Sequence, residues 1–248
     1  MNFEGKTVFI TGAASGIGKG TAQAFLDNGA KIVALDLNKD GLAAFVAENA
    51  DKADKILVIP TNIVNSEEVD KAVEEAIKWT GQIDILVNSA GLYVQEMITE
   101  MSNELWDSHM KVNLYGSFNC TRAVAREMKK RNYGKMINMA SIAGQRGSVA
   151  NCHYTTTKRG IEGFSRSVAL ELAPYNINVN CIAPGIIMTP IFSGAILEER
   201  GEAWLKATPM GRFGQPIDIA NGVMFLCSEY SSFITGFTLD INGGMYMR

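Results

Sequence analysis

The chain has 248 residues, 47% of them hydrophobic and 20% charged, with a net charge of -3. This is the makeup of a soluble globular protein with a full core, and it excludes a disordered chain or a binder held to nucleic acid by phosphate contacts. Four scattered cysteines with no C-x-x-C and only two histidines exclude a usual zinc set.

Thr7-Val8-Phe9-Ile10-Thr11 is a short β-branched apolar run that reads as a fully buried strand. Gly12-Ala13-Ala14-Ser15-Gly16-Ile17-Gly18 follows and opens a helical pattern running to Asn28-Gly29. Strand, glycine turn and helix in succession can hold a phosphate, because glycines admit the backbone and a helix N-terminus offers free N–H groups. The spacing is G-x-x-x-G-x-G, and a tight turn without a ligand has the same appearance. The second strand, Lys31 to Asp36, closes on an acid about 20 residues past the turn, where a carboxylate accepts from an adenosine ribose and repels a 2′-phosphate. The turn holds no Arg or Lys, Leu37 follows the acid, and Lys19 and Lys39 are peripheral. These residues favour NAD over NADP.

Alternation continues with a helix near 38–49, a strand over 56–59 with Asn62-Ile63 at its end, and a helix from Ser66, read as its N-cap. A strand over 83–87 ends at Asn88-Ser89-Ala90-Gly91, and a long helix over 103–131 contains Asn113. The fifth strand, 135–139, ends at Ser141; a helix carrying Tyr154 and Lys158 runs to Pro174; and the sixth strand, 177–182, is closed by Pro184-Gly185. A helix over 216–228 and a strand over 238–241 finish the chain. The expectation is one α/β domain over 1–248, a Rossmann-like doubly wound parallel sheet with helices on both faces. Ligands of such sheets bind beyond the strands' carboxyl ends, where Gly12, Asp36, Asn62, Asn88, Ser141 and Pro184 converge. On a helix, the i, i+4 spacing of Tyr154 and Lys158 puts phenol and ammonium on one face, and a cation there is expected to pull the phenol toward the range of a general base. By itself such a pair is also an ordinary surface feature.

Taken together, Thr11-Gly12-x3-Gly16-Ile17-Gly18, Asn88-Ser89-Ala90-Gly91, Asn113, Ser141, Tyr154-x3-Lys158, Pro184-Gly185 with Thr189, and Gly211-Arg212-Phe213-Gly214 resemble the short-chain dehydrogenase/reductase family over essentially the whole chain. The resemblance implies an oxidoreductase with a nicotinamide cofactor, usually a homotetramer. It implies Tyr154 as general acid/base, Lys158 lowering its pKa and holding the ribose, and Ser141 fixing the substrate oxygen. Asn113 would hold a water that relays protons. The implied cofactor contacts are Gly12, Ser15, Gly16, Ile17 and Gly18; Asp36 and Leu37; Asn62 and Ile63; Asn88, Ala90 and Gly91; Tyr154 and Lys158; and Pro184, Gly185, Ile187 and Thr189. Ser89 and Asn62 depart from the family's commoner Asn and Asp, and Asn242 from a frequent Asp.

For the substrate, Ser141 and Tyr154 are joined by Gln145, Asn151 and His153, whose polarity points to a polyol, sugar alcohol or other small polar alcohol. A lid is expected over 186–210. Tyr93, Trp204, Ile191 and Phe192 offer the alternative of an apolar slot for a steroid or an acyl chain. The favoured expectation is an NAD-dependent alcohol dehydrogenase on a polyol. The alternatives are a 3-oxoacyl-thioester or hydroxysteroid reductase, the thioester case usually going with NADPH and basic residues near the glycine turn, and an idle NAD-binding scaffold. No run has the length to cross a bilayer, so a cytoplasmic protein without membrane, nucleic-acid or metal partners is expected.

Overall fold

The structure, a computed structural model, describes residues 1–192 and 195–247. Seven strands form one sheet: β1 (Thr7–Thr11), β2 (Lys31–Asp36), β3 (Ile56–Pro60), β4 (Ile85–Asn88), β5 (Gly134–Met139), β6 (Ile177–Pro184) and β7 (Thr238–Ile241). Their order is β3-β2-β1-β4-β5-β6-β7 and every pairing is parallel. The winding reverses between β1 and β4, and a crevice opens beyond the carboxyl ends of the strands there.

Both faces of the sheet are covered, so the inner strands are apolar on both sides rather than alternating. On one face α1 (Gly16–Asp27), α2 (Lys39–Glu48) and α9 (Pro216–Cys227) bury Phe25, Phe45 and Val223 against Val8 and Ile10. On the other face α3 (Ser66–Thr80), α5 (Gly116–Arg131) and α7 (Cys152–Leu172) bury Val69, Val124 and Leu172 against Phe9 and Val33. Period-2 geometry sends Phe9 one way and its neighbours Val8 and Ile10 the other.

Three local features differ from expectation. The N-cap of α3 is Asn65, whose side chain accepts from the N–H groups of Glu67 and Glu68; Ser66 is the first helical residue, both residues being good caps. The helix over 103–131 is interrupted: α4 (Asn103–His109) passes through a π-helical segment, Met110–Tyr115, before α5. The extra backbone residue in such a segment redirects the side chains around it, here Asn113. Two helices carry no clear signal in the sequence, the short α6 (Ile142–Arg146) after β5 and α8 (Ala195–Lys206) in the lid.

The lid span also holds a 3-10 turn, Pro190–Phe192; residues 193 and 194 lie outside the described residues. Its two ends are tied to each other by a bridge between Ile187 and Gly214. Arg212 grips Asp218 with two nitrogens at 2.7 and 2.9 Å, which holds that carboxyl down at about 2. Among the described residues no helix is long and apolar enough to cross a membrane.

Candidate active site

A cleft of about 430 Å³ runs along the carboxyl edge of the sheet from β2 to the lid. Its floor at the first turn is backbone. Gly12 sits at φ +71°, and a Cβ there would lie 2.8 Å from the Ala90 nitrogen. A Cβ on Gly18 would lie 2.0 Å from the Gly12 carbonyl oxygen. Only glycine fits either position, so the turn closes tightly under α1. Ser15 precedes α1 with extended backbone and without a side-chain cap. The helix therefore presents its free N–H groups and positive end to the cleft, an arrangement that suits a pyrophosphate.

At the end of β2 the two oxygens of Asp36 accept from Ala14 N (3.1 Å) and Asn38 N (2.9 Å). These bonds orient the carboxylate at the cleft wall and leave lone pairs for a ligand hydroxyl. Lys19 is drawn away to Glu48 at 2.7 Å. Leu37, Asn62 and Ile63 line the same end. One lone pair of the Asn62 side-chain carbonyl, expected to face a ligand, accepts from Val64 N at 3.1 Å. Ser15, Gly16, Ile17, Ala90, Gly91, Pro184, Gly185, Ile187 and Thr189 all line the cleft as well.

Asn88 does not. It is buried, and its amide nitrogen donates to Asn138 (2.8 Å) and Thr121 (3.0 Å). Its side chain ties β4 to β5 and α5. The neighbouring turn is set by Thr11, whose hydroxyl accepts from Ser89 N and Ala90 N, both at 3.1 Å.

Asn113 is likewise turned away from the cleft. Its side-chain oxygen accepts from Leu92 N at 2.6 Å, and its nitrogen donates to Leu92 O at 3.0 Å and Thr157 at 3.2 Å. These bonds clamp the segment that forms the cleft wall.

Ser141, Tyr154 and Lys158 meet in the middle of the cleft. Ser141 caps α6, accepting from Ala143 N at 3.1 Å. Tyr154 and Lys158 share a face of α7, with the ammonium 5.6 Å from the ring centre. Lys158 is buried and donates to Met139 O at 2.8 Å, a contact with no sequence signal because it links a side chain to the backbone of β5. Burial pushes the Tyr154 phenol up to about 12, against a smaller pull downward from its hydrogen bond with Ser141. Burial takes Lys158 down to about 8. Desolvation is the largest influence on the phenol.

The three polar residues beside the pair face elsewhere. Gln145 donates to Glu162 and Asp240, both at 2.9 Å, locking α6 to α7 and β7. Asn151 is buried and donates to Ser148 (3.0 Å) and Val149 O (2.9 Å). His153 is fully buried against His109. None of the three lines the cleft. The substrate end is instead walled by Leu92, Tyr93, Ile191, Phe192 and Trp204, with Arg146 and Arg200 at its polar margin. Tyr93 packs edge-on to Tyr154 at 5.0 Å and against Phe192 at 5.3 Å. Neither arginine was legible as a site residue, since nothing in sequence marks which of the chain's cations turns inward.

Comparison with known proteins gives concordant matches. A protein-family model described as enoyl-(acyl carrier protein) reductase matches residues 12–246. The chain is 38% identical over 245 residues to a 3-oxoacyl-(acyl-carrier-protein) reductase of Thermotoga maritima, with 99% of each chain covered. It is 37% identical over 244 residues to a hydroxy(phenyl)methylsuccinyl-CoA dehydrogenase subunit of Thauera aromatica, with 98% of each covered. Among solved structures, a Brucella melitensis protein described as a short-chain dehydrogenase/reductase of the glucose/ribitol dehydrogenase kind superposes with a TM-score of 0.93, at 36% identity and 100% coverage of both chains.

Proposed function

The chain belongs to the short-chain dehydrogenase/reductase family, an oxidoreductase family that works with a nicotinamide cofactor, and on that premise we propose that it is an NADH-dependent reductase of 3-oxoacyl thioesters. The observation that carries the substrate class is the wall of the cleft beyond Tyr154: apolar and aromatic side chains with two arginines at the margin, and Gln145, Asn151 and His153 all facing away. An acyl chain suits the apolar wall, and a phosphate-bearing thioester handle suits the cations; a neutral polyol would leave its hydroxyls unmatched. The names of the Thermotoga and Thauera relatives both refer to acyl thioesters, which moves the reading away from the polyol. The Brucella neighbour's description keeps a sugar alcohol as the second reading.

The cofactor's fit rests on the Cβ-free turn at Gly12 and Gly18, the open N-terminus of α1 and the carboxylate of Asp36. Asp36 supports NADH over NADPH, since a carboxylate repels a 2′-phosphate. When bound, the dihydronicotinamide supplies the hydride to the substrate carbonyl carbon. Ser141 and Tyr154 receive the carbonyl oxygen between their hydroxyls, where negative charge develops. A phenol raised to about 12 is fully protonated near neutrality, so Tyr154 is poised to give its proton to that oxygen rather than to take one. That protonation state favours reduction. Lys158, held by Met139 O, places its charge beneath the site.

Exposed Tyr115, Leu170 and Phe233 support a homotetramer, the assembly usual in the family; a cytoplasmic setting accords with a thioester substrate. The test is a series of 3-oxoacyl-CoA substrates of rising chain length with NADH. KM should fall as the chain lengthens into the apolar wall. A flat series, or turnover confined to sugar alcohols, overturns the reading.

A further inference from the structure

Two imidazoles are packed edge to face beside the site, His109 from the end of α4 and His153 immediately before Tyr154, with ring centres 4.1 Å apart. Both are fully buried, and they are the only histidines of the chain. His109 Nδ1 faces Leu105 O at 3.0 Å, and Val94 N–H points at His109 Nε2 at 3.3 Å. These two contacts select one tautomer: the proton is on Nδ1 and Nε2 is bare to accept. Neither ring nitrogen of His153 makes a well-formed hydrogen bond, its one backbone interaction being with Val94. A buried polar group so poorly partnered calls for a reason beyond packing.

The reason lies in what Val94 adjoins. Its neighbour Tyr93 fills the space between Tyr154 and Phe192 of the lid. On one side of Tyr93 the backbone is clamped at Leu92 by Asn113; on the other it is held at Val94 by His109. We propose that His109, backed by His153, is a positioning residue that fixes the register of the 92–95 cleft wall, and that it does so only while both rings are neutral. A proton on His109 would set N–H against the Val94 N–H and eject the segment.

The surroundings oppose that proton. From α4 the pair meets Leu105 O and the Ser108 hydroxyl, from the wall segment the Val94 main chain and Glu96, and from α7 the second imidazole. Among the described residues Glu96 is the charged group that acts on the pair, through His153, and it favours the proton; burial opposes it on both rings and the neighbouring ring opposes it on His153, so both histidines titrate below their ordinary 6.5. The sign is fixed. A depressed pKa makes the folded form lose ground as pH falls below 6.5, and the latch opens on the acid side.

The experiment is nitrogen-15 histidine NMR on the full chain from pH 8 to 5, with the protection of the Val94 amide followed in parallel. With only two histidines, every imidazole signal belongs to the pair. The expected result is His109 as the Nδ1–H tautomer, two titrations below 6.5, and loss of Val94 protection across the same range. His109→Leu should lower Val94 protection at pH 7 by about 2- to 10-fold, the worth of one hydrogen bond. It should also raise KM for acetoacetyl-CoA more than it lowers kcat, while His109→Gln, which keeps an acceptor, restores part of both. An Nε2–H tautomer, or Val94 protection unchanged in His109→Leu, overturns the proposal. Tautomer and protection are read without substrate, so failure of acetoacetyl-CoA to turn over would count against the thioester reading and leave this test decided by the NMR.

Discussion

Lys158 lies 5.6 Å from the centre of the Tyr154 ring, yet its charge is not what sets the acidity of that phenol. The phenol stands at about 12 because it is desolvated, and Lys158 stands at about 8 for the same reason. Two groups pressed toward their neutral forms in one recess form a proton donor and a marginal cation. That pairing suits carbonyl reduction near neutral pH.

Tyr154→Phe removes the proton donor and leaves the cleft shape. Turnover should drop by about 10²- to 10⁴-fold, while NADH binding, followed by fluorescence of the reduced ring, should stay within a factor of a few. Retained turnover would assign the proton to another group.

The pH dependence follows from Lys158. Below about 8 it is charged and Tyr154 protonated; above about 8 the ammonium is lost first, long before the phenol ionises. The kcat for reduction should therefore be level through neutrality and decline as pH rises through about 8. A decline that begins only near the phenol's own value would show that Lys158's charge does not matter to the step.

Asp36→Ala should weaken the preference between cofactors. Removing a carboxylate at the ribose end is expected to shift the NADH-to-NADPH ratio of kcat/KM by about 10-fold or more toward NADPH, equivalent to about 1.4 kcal/mol. Titrating both cofactors against this variant gives the number, and an unchanged ratio would remove Asp36 from the selection.

Much of the sheet was readable because each buried parallel strand is a short apolar run closed by a turn residue, as with Val8 to Gly12 or Ile177 to Pro184. The site's centre was readable because Tyr154 and Lys158 lie four apart on one helix. What was not readable is direction. His153 is next to Tyr154 in sequence, but one residue turns a helix by about 100°, and that carries the imidazole away from the cleft and into the contact with His109. Gln145 and Asn151 are adjacent in the same deceptive way. Asn113 carried no sign that a π-helical turn would aim its amide at Leu92, and Met139 acts through its backbone, which has no letter.

Asn113→Ala tests that clamp. It removes the partner of the Leu92 N–H and C=O in a partly buried setting, at a cost of about 1–3 kcal/mol. Thermal denaturation should show a Tm lower by several degrees, and KM should rise as the wall loosens. A variant with unchanged Tm would mean that the segment is held elsewhere.

Arg146→Met addresses the polar margin of the slot. If its guanidinium meets the phosphates of the thioester handle, kcat/KM for acetoacetyl-CoA should fall about 5- to 50-fold, as for loss of a charge-assisted contact. The same acyl group on neutral N-acetylcysteamine should be affected little. Equal losses on both substrates would point to a change in cleft shape.

The measurement that bears most directly on the account is the oxidation of NADH by purified protein with acetoacetyl-CoA at pH 7, set beside reduction of NAD with ribitol or glucose. Rapid thioester-dependent NADH consumption, slower with NADPH and cut by about 10²-fold or more in Tyr154→Phe, is the predicted result. NAD reduction by the sugar alcohol, with no response to any 3-oxoacyl thioester, would contradict it.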